Sequence, residues 1–226
     1  MRRTYLKEIM APVLELSSLF QAVLDVLTHK QPELNQVDPY NQDHGDHMVE
    51  IFQIAVHAAQ EKRSASLAEA MEYASQLLMA SGDNGSAQVY AHGLTCLAEQ
   101  FSQRQINLDD LAPYAQVAIS GKKQGNGQSN GGRSGDILKA LLSALAEWER
   151  LETDQPGSAR GVDLGYLLGV GMAYLQAKQQ GGDRLRVLAE TVVSSSPLGR
   201  VPHRHQSGLL VVQKILQALG DLPVTD

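Results

Sequence analysis

The sequence is short of the residues that build the most recognisable sites. It has one cysteine, Cys96, in 226 residues. That excludes an internal disulfide framework, a cysteine-built zinc site and an iron–sulfur cluster held by this chain alone. It fits a reducing compartment. Aromatic residues make up only 5% of the chain, so Leu, Ala, Val and Ile must build the core, a composition that favours helices. Basic residues are outnumbered, 19 Lys and Arg against 25 Asp and Glu, for a net charge of −6. An acidic chain lacks the basic footprint that nucleic acids and anionic membranes require, so neither is expected as a partner. Long apolar runs are missing too. The longest, Leu164 to Leu175, falls short of the roughly 20 residues that span a bilayer. Arg2 and Arg3 are followed by Lys7, Glu8 and Glu15 rather than by the apolar stretch of an export signal. The expectation is a cytoplasmic protein with one domain over residues 1–226.

What the sequence does have is apolar residues at helical spacing. Leu6, Ile9, Met10, Val13, Leu16, Leu19, Phe20, Val23 and Leu27 make one stripe, with Pro12 marking a kink or a late start. Further helices are predicted after Asp46 and after Ser64, where Ser66 and Glu69 have capping-box spacing. Others are predicted from Asn84 or Ser86, from Asn107 to Gly121, and from Ser134 through Trp148. A seventh contains Gly161, Gly165, Gly169 and Gly171, positions that let a neighbouring helix or a ligand come close. An eighth runs from Asp183 towards Val193, and a last from Gln206 to Leu219, ended by Gly220 and Pro223. No stretch has strand alternation. The reading is all-α, with eight or nine antiparallel helices. Gly121–Gly135 contains no apolar residue and is expected to be a flexible loop, either a connector or a lid.

Three polar clusters stand out. Leu34 to Met48 gathers Asp38, Asp43, Asp46, Asn35 and Asn41 at a helix start, together with His44 and His47 three apart. These residue types suit magnesium through hard oxygen ligands, or a transition metal through the histidines. A helix cap with solvated neighbours accounts for them as well. Ser81 to Ser86 is glycine-rich at a helix start, where backbone N–H groups can meet a phosphate, but it is not a Walker A loop. Leu198 to Gly208 brings Arg200, His203, Arg204 and His205 into a basic island that could bind an anion or simply face water.

In that order, the clusters resemble the L subunit of dihydroxyacetone kinase and the related fatty-acid kinase domains. The family's first motif is LN-x-x-x-P-x-x-DGDTG-x-NM, with a DGDHG variant. Leu34–Asn35 matches its LN and, with one residue fewer after Pro39 than the motif has, Asn41 and Asp43 its two Asp positions, His44–Gly45 the HG and Met48 the final Met. Gly82, Asn84, Gly85 and Ser86 stand at the GNSG-like loop, with Gly93 as the later glycine. The third motif falls near Gly135–Asp136, and the fourth on Leu198–Gly199–Arg200 through Ser207–Gly208.

The resemblance implies a barrel of about eight antiparallel amphipathic helices with a nucleotide at one end. It also implies two magnesium ions held by the first motif, here Asn35, Asn41 and Asp43. ATP or ADP phosphates would lie at Gly82, Asn84, Gly85, Ser86 and Arg200. The family's chemistry is phosphoryl transfer, with metal ions neutralising charge. A lone L domain takes its acceptor from a partner, a K-type substrate-binding subunit. A homodimer is left open. The sequence departs from the pattern at Asn41, which replaces a metal-binding Asp, so that Asp43 is the one matched carboxylate. No catalytic side chain is assigned. Two readings follow: a glycerone-kinase-like transferase, or a non-catalytic descendant that has lost metal ligands and binds a ligand or a protein.

Overall fold

A computed structural model describes residues 15–82, 84–120, 131–153 and 164–221. Among these residues all regular structure is helical. The α-helices are α1 (Leu16–Gln36), α2 (His44–Glu61), α3 (Leu67–Ala80), α4 (Gly85–Arg104), α5 (Leu108–Ser120), α6 (Gly131–Thr153), α7 (Leu164–Gln180), α8 (Arg184–Ser194) and α9 (Pro202–Gly220). A short 3-10 turn, Pro197–Arg200, leads into α9.

The starts follow local chemistry. Ser66 and Glu69 form the full capping box of α3, as their spacing predicts. Asn84 caps α4 by accepting from the N–H groups of Ser86 and Ala87 at 3.0 and 3.1 Å. Asp183 caps α8 by accepting from the Arg186 N–H at 2.8 Å. Three expected starts are corrected. α2 begins at His44 rather than after Asp46, and α9 begins at Pro202 rather than Gln206. α6 begins at Gly131, so Ser134 is inside the helix and residues 131–135 of the glycine-rich segment are helical. The rest of that segment, 121–130, lies outside the described residues, as do Gly161 and the part of the first apolar stripe before Glu15.

The helices pack largely in sequence order: α1 on α2, α2 on α3, α3 on α4 and α4 on α6. On its other side α1 packs on α9, α9 on α5 and α8, and α8 on α7. The main core joins Leu19, Val23 and Leu27 of α1 to Met48, Ile51 and Phe52 of α2, with Phe101, Ile137 and Val211 from α4, α6 and α9. A second cluster of Val89, Val193 and Leu198 fastens α4 to α8 and the 3-10 turn. No helix among the described residues is long and apolar enough to cross a membrane.

This arrangement brings the end of α1 and the starts of α2, α4 and α9 to one end of the bundle. His44 of α2 contacts His203 and Ser207 of α9, and Arg204 of α9 contacts Gly85 of α4.

Candidate functional site

The loop between α1 and α2 is folded around a carboxylate. Asp38 is 4% exposed and accepts the N–H of Tyr40 at 3.1 Å. Burial alone would raise its carboxyl. The N–H groups of Tyr40 and Asp43 and the imidazoles of His203 and His44 outweigh that effect, and hold it below its usual value. Gln42 takes a left-handed φ of 60° to complete the turn.

α2 borrows its cap from α1. Asp43, the residue before α2, makes no side-chain cap. Asn35 Oδ1 instead accepts from the N–H groups of Gly45 at 2.6 Å and Asp46 at 3.3 Å. Its Nδ2 donates to Asp46 Oδ1, which also accepts from Gln31 Nε2. Those two donors hold the Asp46 carboxyl below its usual value. Gly45 is obligatory for this fit, because a β-carbon there would strike the Gln31 backbone oxygen.

The expected metal residues are therefore engaged with one another. Asn35 is a cap. Asn41 Nδ2 donates to Asp43 Oδ2 at 2.7 Å. Asp43 Oδ1 is buried without a hydrogen bond, with His47 Nδ1 3.3 Å away. Among the described residues no group of three or more His, Cys, Asp and Glu side chains is arranged to hold a metal ion. One open carboxylate oxygen with amide neighbours is a poor donor set for magnesium, which relies on charge from its ligands.

A different chemistry converges beside this loop. His44 is 3% exposed, and its Nε2 lies 2.9 Å from Ser207 Oγ. Burial, with His203 close beside it, drives the imidazole down to about 4, so it is neutral at ordinary pH. The His44 and His203 rings are 4.6 Å apart. Ser207, His44 and Asp38 have the residue types of a hydrolase triad, but Ser207 is fully buried and out of reach of any substrate.

The Arg204 guanidinium stands over the start of α4. Its Nη2 lies 3.2 Å from where a β-carbon on Gly85 would be. Three buried polar atoms here have no hydrogen-bond partner: Arg204 Nε, His203 Nδ1 and Asn84 Nδ2. The Tyr90 hydroxyl, buried beside them, is engaged by Ser207. Arg204 Nε and Asn84 Nδ2 are donors whatever the pH around neutrality. Asn84 is itself 7% exposed. Buried donors without acceptors are costly, and their gathering at helix N-termini calls for an anion.

The predicted phosphate residues divide. Asn84, Gly85 and Ser86 form the start of α4 beneath Arg204. Gly82 makes the preceding turn with φ 87° and has open space where a side chain would be. Arg200 is paired with Glu149 of α6, and Arg204, four residues on, is the guanidinium at α4. In the sequence Tyr90 reads only as part of the apolar stripe of α4, with Leu94 and Leu97. Its signal is its place four residues after Ser86, on the same face of α4.

A cleft of about 400 Å³ elsewhere, between α1, α8 and α9, is lined by both signs of charge. Lys30 and Glu33 in it pair with each other at 2.8 Å, and Asp183 is used as a cap. Comparison with family models, curated proteins and solved structures finds no match.

Proposed function

We propose that the chain is a helical barrel domain of the dihydroxyacetone kinase L-subunit type that binds the phosphates of a nucleotide without depending on magnesium. The observation that carries this reading is the pair of unpartnered buried donors on Arg204 and Asn84 at the start of α4. In this reading Arg204 supplies the positive charge that a metal supplies in the family. The Asn84 amide N–H orients the phosphate oxygens, while the N–H groups of Ser86 and Ala87 stay bonded to the Asn84 cap. The packing series from α6 through α1 and α9 to α7 supports the barrel, with α6 and α7 as the pair that would close it.

A second reading is the magnesium-dependent phosphotransferase, acting on an acceptor carried by a K-type partner. One observation favours it: Asp43 Oδ1 is buried and accepts no hydrogen bond, which leaves an oxygen for a cation.

Calorimetry separates the two. ADP and pyrophosphate are titrated in EDTA and then with excess magnesium. The metal-free reading expects binding in EDTA, weakened about tenfold or more by Arg204→Gln, the loss of a charge-assisted contact. Failure of both ligands to bind in EDTA overturns it. Binding that appears only with magnesium establishes the second reading instead.

A further inference from the structure

We infer that the exposed face of α7 is the contact by which two copies of this chain associate, helix against helix about a two-fold axis near Gly171. α7 is apolar around most of its circumference. One side, with the buried Ala177, rests on α8. The other carries Leu167, Leu168, Met172, Tyr174 and Leu175 at 43%, 62%, 66%, 41% and 52% exposure. At 100° per residue these five fall within one continuous face of about 160°. A helix that is apolar on all sides belongs in an interior, so this face is unfinished in a single copy.

Three features select a second copy as the occupant. The first is symmetry. Leu167 and Leu175 are equally spaced about Gly171, and so are Leu168 and Tyr174. An antiparallel pair of α7 helices crossing at Gly171 would set Leu167 against Leu175 of the second copy and Leu168 against its Tyr174, the self-complementary pattern of a two-fold interface. The second is room. Nothing lies within 4 Å of where β-carbons on Gly169 or Gly171 would be. Among the described residues, the predicted close helix approach at these glycines is not made, which leaves room for another helix. The third is area. The five side chains leave the equivalent of more than two and a half whole side chains in water, on the order of 500 Å² at roughly 200 Å² each. Two copies together would cover about 1,000 Å², the lower bound of a specific interface. The face holds no charge between Leu167 and Leu175, so nothing in it selects a charged partner.

Sedimentation velocity of the full chain, from low to high micromolar concentration, tests the contact. A concentration-dependent dimer is expected. Leu168→Glu and Met172→Glu, both at exposed positions, should weaken it about tenfold or more while leaving the helical circular dichroism unchanged. Gly171→Cys gives an independent readout. Next to a two-fold axis it should form a disulfide between copies on mild oxidation, and the native Cys96 is buried and cannot substitute. A chain that is monomeric at every concentration overturns the proposal. So does a dimer that ignores both glutamate substitutions and is not trapped through residue 171. A chain that stays monomeric but binds neutral lipid vesicles also overturns it, and assigns the face to lipid.

Discussion

His44 Nε2 lies 2.9 Å from Ser207 Oγ, both residues are buried, and 163 positions separate them. The contact ties the loop after α1 to the first turns of α9, and burial keeps the His44 imidazole uncharged at neutral pH. Around His44 stand Asp38 from the loop, His47 on its own helix, and His203 and Arg204 from α9.

The first prediction is a loss of stability in mild acid. Unfolded, His44 takes a proton below its ordinary value of 6.5; folded, it resists down to about 4. The unfolded chain therefore binds more protons across that window, and stability falls as pH falls through it. For His44 alone the full loss is on the order of 3 kcal/mol. Asp38, held below its usual value, adds its own loss at still lower pH. Urea unfolding at pH 7, 6, 5 and 4.5 should show a slope that His44→Gln flattens. Equal slopes for the two proteins would remove His44 as the cause.

Gly45→Ala should be strongly destabilising. The added carbon meets the Gln31 backbone oxygen and Asn35 Oδ1, and the backbone of α1 cannot yield cheaply. A loss of about 1–3 kcal/mol or more is expected. A thermal midpoint within a degree of the parent would mean that α1 and α2 do not meet in this way.

Gly85→Ala should behave differently. Its clash at 3.2 Å is with the end of the flexible Arg204 side chain, so stability should change by only about 0.5 kcal/mol in either direction. Pyrophosphate affinity should still fall several-fold, because the guanidinium is pushed off the helix start. Calorimetry and thermal unfolding on one sample give both readings. A large stability loss with intact affinity would reverse the assignment.

Under the magnesium-free reading, Asn41→Asp should create a metal dependence. Asn41 Nδ2 donates to Asp43 Oδ2 at 2.7 Å; the substitution replaces that donor with a second carboxylate at the same distance. The variant should melt lower in EDTA and recover with magnesium, since a hard cation would then have two carboxylates to bridge. A melting temperature that ignores magnesium would mean that the two side chains do not face each other.

How legible these features are in the sequence depends on how local they are. The capping box at Ser66 and Glu69 and the Asn84 cap are decided within three residues, and the sequence shows both directly. The all-helical class follows from apolar spacing within single segments. The start of α2 differs from the expected one because its cap, Asn35, belongs to another helix, and sequence spacing cannot reveal an acceptor borrowed across space. Arg200 and Arg204 have equal claims in the sequence. The difference is Glu149 of α6, which engages one and leaves the other over Gly85. Likewise, the motif's carboxylates and amides can be counted from the sequence, but their mutual hydrogen bonds cannot.

The position of α9 has a consequence for synthesis on the ribosome. α1 packs on both α2 and α9, and α9 also holds α5 and α8. While the chain emerges, α1 and α2 can pair at once, yet one flank of α1 stays bare until the 165 residues between Gln36 and Pro202, and then α9 itself, have been made. During that interval the nascent chain displays a sticky apolar strip. Closing it requires a contact between distant parts of the chain, the slow kind of step in folding. A chaperone that grips exposed leucines has its longest opportunity on this protein at α1, and release should coincide with the arrival of α9.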